Sequence, residues 1–317
     1  MRAYIIRRLI AVPFMLLGMS LLLFYLLYSR PGNAALTNFG LISPDQQKNG
    51  VANLEHELGL DRPFFVQYGD WAIHAVRGDL GESLKTRRSI SHEINQRFGN
   101  TLEIGLLTIL LTVLIGVPVG IISAVKAGTA LDYLLRVVTI AGISVPGFWL
   151  ATLLLTLPAI WWQWTPLASN YVEFTDGPLE NLSIVIWPAL VLAVASAAYV
   201  ARIVRSSMLE ALYSDHVRTA RAKGLQERVV ILQHVFRASL VTVVTIVGLQ
   251  FGAVLGGSVV TEQIFGIPGL GLMVYEAVFN IDYTRVMGVT MVLATWFILI
   301  TLVVDLLYTV VDPRIRY

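Results

Sequence analysis

The stretch Asp215-His216-Val217-Arg218-Thr219-Ala220-Arg221-Ala222-Lys223-Gly224-Leu225 is where residue type and spacing carry the most specific chemistry in this chain. Asp215 is placed to cap a short helix running through Lys223, and Gly224 to end it. Thr219, Ala220 and Ala222 keep that helix thin, while Arg218, Arg221 and Lys223 make its surface positive. A thin, short, positive helix fits a groove on another protein, so the chemistry is recognition by shape and charge. The charge run has a second reading, anchoring beside anionic lipid. That reading accounts for the arginines but not for the alanines or the placed glycine.

Bond-making chemistry has no comparable signal. There is no Gly-x-Ser-x-Gly, no His-Glu-x-x-His and no Gly-x-x-x-x-Gly-Lys-Ser/Thr phosphate loop. His56, His74, His92, His216 and His234 fall between the apolar runs with no metal-ligand spacing, and the chain has 0 cysteines, which removes disulfides, thiol catalysis and thiolate metals. No catalytic residue and no metal site is expected, and an intramembrane enzyme is disfavoured.

The elements that must position the 215–225 stretch are read from charge. Only 14% of the 317 residues are charged and 56% are hydrophobic, against roughly 25% charged in a soluble domain. The uncharged runs Leu9–Tyr28, Ile104–Val125, Val137–Val172, Asn181–Ala201, Ala238–Thr261 and Val286–Val304 are long enough for the ~20 apolar residues that a bilayer-spanning helix needs. Spans are therefore predicted at about 9–28, 104–125, 137–161, 182–201, 238–261 and 286–304, the third leaving through a polar turn near Gln163, Pro166 and Asn170. The first run is longer than a signal-peptide core and reads as an anchor helix. An outer loop at 30–97 and a cytoplasmic loop at 202–237 complete one transmembrane domain over 1–317, multi-pass in the inner membrane.

Orientation follows from Lys and Arg placement. Arg2, Arg7 and Arg8, then Lys126 and Arg136, then the 202–237 loop, then Arg314 and Arg316 fall on one side, which puts both termini in the cytoplasm. The 30–97 segment carries eight basic residues on the other side, matched by eight acidic ones; long loops translocate largely regardless of charge. Because topology explains the basic residues, no nucleic-acid partner is indicated.

Within the outer loop, Ser43-Pro44-Asp45-Gln46 opens a helix reaching Leu58. Pro63–Val76 brings Phe64, Phe65, Tyr68, Trp71 and Ala75 to near-helical spacing, a face for the membrane surface or for packing on the span ends. Gly78-Asp79-Leu80-Gly81 reads as a turn. The spans carry essentially no ionisable residue between their ends, which disfavours a proton-driven carrier; energy for uphill transport would come from outside the chain. Small residues recur at four-residue spacing in Gly248, Gly252 and Gly256, in Gly116 and Gly120, and in Ala193, Ala197 and Ala201. Such rows permit close helix approach, either within the chain or against a partner subunit. Pro118, Pro146 and Pro188 mark bends.

Arg218–Leu225 followed by His234-Val235-Phe236-Arg237 resembles the cytoplasmic coupling loop of ABC importer permeases in the oligopeptide/dipeptide/nickel branch. The resemblance runs nearly end to end. It includes Ile6-Arg7-Arg8-Leu9, Leu58-Gly59-Leu60-Asp61-Arg62-Pro63, Gly78–Gly81, Thr101-Leu102-Glu103, Gly116-Val117-Pro118-Val119-Gly120 and Ser144-Val145-Pro146-Gly147-Phe148-Trp149. It continues through Thr261-Glu262, Phe265, Pro268-Gly269-Leu270-Gly271, Asp282-Tyr283, Asp305-Leu306-Leu307-Tyr308 and Asp312-Pro313-Arg314, and the terminal pattern is similar to the first (B-type) of the family's two paired permeases. Departures are Asn33-Ala34 after Pro31-Gly32, Val241 where the family has proline, and Ile281 and Thr284 around Asp282-Tyr283.

The resemblance implies an all-α polytopic fold of six transmembrane helices, the type I ABC importer permease fold. It implies that Asp215, Arg218, Thr219, Ala220, Arg221, Ala222, Lys223, Gly224 and Leu225 dock on an ATPase. The implied partners are a second homologous permease, two ABC ATPase subunits that hold ATP and Mg²⁺, an extracytoplasmic substrate-binding protein and the lipid bilayer, with no cofactor on this chain itself. Peptides are the default solute of the resembled branch; nickel, metal chelates, glutathione and sugars are carried by its members. A secondary carrier or channel subunit is the rival reading, separated from the first by the groove-fitting loop.

Overall fold

The computed structural model describes residues 2–28, 62–83, 85–166 and 171–311. The expected helix from Ser43 to Leu58 and the terminal Asp312-Pro313-Arg314 lie outside the described residues. In chain order the helices are α1 (Arg2–Tyr28), α2 (Phe64–Val76), α3 (Ile90–Val125), α4 (Ala130–Ser144), α5 (Gly147–Trp162), α6 (Pro178–Leu212), α7 (Asp215–Ala222), α8 (Glu227–Val229), a π-helical segment (Val230–Phe236), α9 (Arg237–Phe265), α10 (Leu270–Phe279) and α11 (Tyr283–Val311). Among the described residues, the extended pairing is a single antiparallel bridge between Glu82 and Ser89.

Among the described residues, five helices are long and apolar enough to cross a membrane: α1, α3, α6, the continuous run Glu227–Phe265, and α11. The pair α4 and α5, bent by 95°, makes a sixth if it is counted as one broken span. Here the structure differs from the single span expected at 137–161. Pro146 has no N–H to continue the ladder and pushes the residue before it out of the α region; Val145 accordingly sits at φ −75°, ψ 122° and ends α4. Pro118 and Pro188 lie inside α3 and α6 without ending them. The exit near Gln163 is as expected, since α5 stops at Trp162 and Gln163 takes a left-handed conformation. At 1.5 Å per residue the 39-residue run from Glu227 is about 58 Å long, far more than the ~30 Å apolar thickness of a bilayer. Its charged first turn, with Glu227 and Arg228, therefore projects beyond the membrane-spanning part.

The chain forms two compact units. One comprises 100–267 with 1–6 and 297–317, and the other 7–99 with 268–296. In the first, the small-residue rows set how closely helices approach. Gly116 lies against the Ala197 carbonyl and Gly120 against Ala201 and Val204; a Cβ there would stand 2.7 Å from each carbonyl oxygen, closer than real side chains come. Gly248 faces Val304 and Gly252 faces the Phe297 ring, whereas Gly256 has open space where a side chain would go. Ile104, Ala151, Val185, Val191, Phe265 and Ile267 form one buried cluster of this unit.

In the second unit, Ile90, Ile94, Leu270, Met273 and Val289 form the core. The aromatic face of α2 packs on α1: the Phe24 ring meets Phe64 at 5.4 Å and Tyr68 at 5.5 Å, edge to face, and Ser20 and Tyr68 hydroxyls are 2.8 Å apart. Phe65 stays exposed. The 78–81 turn is present, and the Ser91 hydroxyl donates to the Gly78 carbonyl and accepts from the Leu80 N–H. The short apolar helix α10 was not foreshadowed by any charge-free run of span length.

Candidate functional site

The 202–237 connection is a folded module whose core belongs to the first unit. Helix α7 buries Val217 and Ala220 in a cluster with Val117 and Ala124 of α3, Val200, Val204 and Met208 of α6, Val230 and Val235 of the π segment, and Val243 of α9. Val230 and Val235 are five residues apart, which an α-helix would rotate by about 140°. The wider i→i+5 turn of a π-helix lets both enter the same cluster.

The other face of α7 is open. Asp215, Arg218, Thr219, Ala222 and Lys223 are exposed, and so are Gly224 and Leu225 beyond its end. Ser214, not Asp215, occupies the N-cap position; Asp215 is the first helical residue, where its charge still complements the helix dipole. The helix ends at Ala222, one residue before the expected Lys223. Leu225 N–H bonds to the Ala220 carbonyl at 3.4 Å and Gly224 N–H to the Arg221 carbonyl at 2.9 Å, with Gly224 at φ +78°. That is the Schellman arrangement, in which the left-handed position favours glycine.

Arg221 does not present a free charge: its Nη2 and Nε donate to Glu227 at 2.6 and 3.2 Å. This pairing holds the Glu227 carboxyl below its usual range, against a smaller opposing effect of burial. Arg218 lies 3.8 Å from Asp215. The positive character of the open face thus rests on Arg218 and Lys223.

Beside this module, Asp132 anchors the turn that joins α3 to α4. Its carboxylate accepts from Arg205 Nε at 2.8 Å and Nη2 at 2.9 Å, from Ser123 Oγ at 2.6 Å and from Gly128 N–H at 3.1 Å. Asp132 is buried, and Arg205 is on α6 two turns before that helix ends at Leu212. Sequence reading passed over this residue. The available signal was Thr129-Ala130-Leu131-Asp132, a hydroxyl cap followed three residues later by an acid, and Thr129 does cap α4 through the Asp132 N–H. Elsewhere in the first unit, buried Asn181 donates to the Val172 carbonyl and the Tyr171 hydroxyl, and Thr101 donates to buried Glu262. Burial, with the charge of Glu103 adding to it, pushes the Tyr171 phenol up to about 12.

The second unit holds its own charge network, also missed from sequence. Buried Arg285 places Nε 2.9 Å from Glu93 and Nη2 3.3 Å from Glu276, and Arg97 reaches the same Glu276 oxygen at 3.2 Å. The Glu93 contact is a close charge approach without hydrogen-bond alignment. Ser83 donates to Asp282 at 2.5 Å. Among the described residues, no group of three or more His, Cys, Asp or Glu side chains is placed to hold a metal ion.

The fold is that of an ABC importer transmembrane subunit. An inward-facing structure of the MetNI methionine ABC transporter superposes with a TM-score of 0.55 at 18% identity, covering 69% of this chain and 96% of that one. An amino acid ABC transporter solved with histidines gives 0.52 at 15%, covering 71% and 95%. At these identities the likeness is one of fold. The chain belongs to the binding-protein-dependent transport system inner membrane component family, whose model matches residues 116–317, with the family's N-terminal model matching 1–105. It is similar along its whole length to the dipeptide transport system permease protein DppB of Alkalihalophilus pseudofirmus (38% identical, 100% of both chains) and of Escherichia coli K12 (38%, 100% of this chain and 99% of that one). A putative peptide transport system permease protein of Brucella abortus is 39% identical over 100% of both chains. The chain is therefore a multi-pass inner-membrane permease subunit of an ATP-driven importer and not itself an enzyme; ATPase and substrate-binding proteins are its partners in kind.

Proposed function

We propose that this chain forms, with a second homologous permease, the pathway by which peptides or a related small solute cross the inner membrane. Full-length similarity to permeases named for dipeptide and peptide transport supports the solute class. In this reading both termini and the 202–237 connection are cytoplasmic, two ATPase subunits carry ATP and Mg²⁺, and an extracytoplasmic binding protein delivers the solute.

The observation that carries the reading is the two-faced helix α7. Its exposed side, with Arg218, Lys223 and Gly224, is free to enter a groove of an ATPase subunit. Its buried side is locked into the cluster that joins α3, α6 and α9. Closely packed interiors transmit displacement because they have no slack, so a force on α7 moves the spans together. Alternating access follows: ATP-driven closure of the ATPase pair pulls α7, and the spans exchange an inward-open for an outward-open arrangement.

The test is Gly224→Asp. Aspartate tolerates a left-handed backbone better than most residues, and nothing lies within 4 Å of where the side chain would start. The fold should survive while a negative charge enters the docking end. The chain should insert at normal levels, and co-purification of the ATPase subunits and ATP-driven uptake of labelled dipeptide should both fall. Intact assembly and uptake would refute the docking role.

A further inference from the structure

The second unit carries an open-mouthed pocket of about 690 Å³ between α1, α2, the start of α3 and the first half of α11. Leu17, Ala72, Ala75, Ile94, Met291 and Trp296 are among its walls. A concave, mostly apolar space of this size is the form that binding sites for small apolar groups take. Its volume equals that of about 20 water molecules at ~30 Å³ each, but each buried water needs 2–4 polar partners.

The walls supply few of those partners. Ser20 and Tyr68 bond to one another, and Ser20 also to the Leu17 carbonyl. Ser91 is committed to Gly78 and Leu80, and Thr295 donates to the Met291 carbonyl. The Trp71 indole N–H is buried without a hydrogen-bond partner, so it and Asn95 are the polar groups left for an occupant. Asn95 is the exposed amide on the lining.

The cavity is also continuous with the surface that α1 shows to the bilayer. Leu17 and Val76 line it and are at the same time 58% and 90% exposed. On α1, Leu17 runs on into Phe14 and Leu22, which are exposed apolar residues of the same span; Val76 ends α2. An occupant entering from the membrane therefore meets hydrocarbon-compatible walls throughout and an amide at the rim.

We propose that this cavity seats an acyl chain of one membrane phospholipid, which wedges between α1 and α11 and fills the space that the side chains leave. The site needs neither the ATPase nor the transported solute, so its test stands apart from that of the coupling helix.

The test uses the assembled importer in nanodiscs containing phosphatidylethanolamine with a photoactivatable group midway along one acyl chain. Labelling should concentrate on peptides carrying Leu17–Ser20 and Met291–Trp296. Filling the cavity with Ala72→Phe plus Ala75→Phe should reduce that labelling several-fold, while labelling around Phe14 and Leu22 on the open face of α1 persists. If the double variant does not assemble, Thr295→Phe alone should give the same loss. Labelling spread evenly over α1 and unaffected by the filling substitutions would overturn the proposal. So would a structure of the complex with side chains of the second permease, or of residues 29–61 of this chain, in the cavity.

Discussion

Removing the Asp132 carboxylate should loosen the first unit more than any other single charge deletion in it. The perturbation is Asp132→Ala. Four donors converge on the two oxygens of Asp132, two from Arg205 and one each from Ser123 and Gly128. The Asp132 side chain is 1% exposed and that of Arg205 23%. Removing one partner of a buried ion pair costs about 3–5 kcal/mol, chiefly because the other charge is left buried. Arg205 retains some access to water, so a cost at or below the bottom of that range is expected, about 2–3 kcal/mol. The assay is thermal unfolding of the purified importer followed by tryptophan fluorescence; since 1 kcal/mol shifts the midpoint by roughly 2–4 °C in chains of 150–250 residues, a fall of about 4–12 °C should be seen. Arg205→Met alone should also destabilise, by leaving Asp132 without its main donor. The pair Asp132→Ala with Arg205→Met should lose less than the sum of the single changes, by at least about 1 kcal/mol. Single variants within about 0.5 kcal/mol of the parent, or strict additivity, would refute the reasoning.

Further outcomes follow from the same geometry. Gly120→Ala puts a Cβ 2.6 Å from the Val204 Cβ, so overpacking of about 1–3 kcal/mol should lower the unfolding midpoint, while Gly256→Ala, which meets open space, should leave it unchanged in the chain alone; in the assembled importer, a loss at Gly256 would mark a face covered by a partner. Arg285→Met leaves Glu93 and Glu276 without their shared cation and should cost about 3 kcal/mol, read as earlier unfolding of the second unit by hydrogen exchange; unchanged protection of Ile90 and Met273 amides would contradict it. Tyr171 has its proton held more tightly in the folded state. Its contribution is therefore complete below the unfolded phenol value near ~10 and is lost as pH rises toward about 12; Tyr171→Phe should flatten that part of the alkaline unfolding profile, and an identical profile in both proteins would exclude the assignment.

Much of this was legible without coordinates because it depends on local patterns. Charge-free runs mark spans whatever their neighbours, since hydrocarbon excludes ionised groups along the whole length of a helix. The alanines and the glycine of 218–225 foreshadowed a thin terminated helix, because thinness and a left-handed stop are properties of single residues. The Pro146 bend was expected in place but not in size; 95° depends on what α4 and α5 pack against, which a proline does not encode. The aromatic face of α2 was expected with two partners open, and its meeting with Phe24 was a matter of tertiary position.

What sequence alone determined, then, is a polytopic α-helical permease with a positive, glycine-ended helix between its fourth and fifth spans, because periodicity, charge and cap residues act over a few turns of one chain. Only the tertiary structure decided which glycines are packing contacts and which are open, that Arg221 is neutralised by Glu227, and that Asp132 meets Arg205 and Glu93 meets Arg285. It also decided that Val230 and Val235 share one core through a π turn, and that an apolar pocket opens beside α1. Apart from Arg221–Glu227 and Val230–Val235, which turn on how the chain bends between α7 and α9, these are encounters between residues more than 40 positions apart, and no local rule of spacing reaches across such separations.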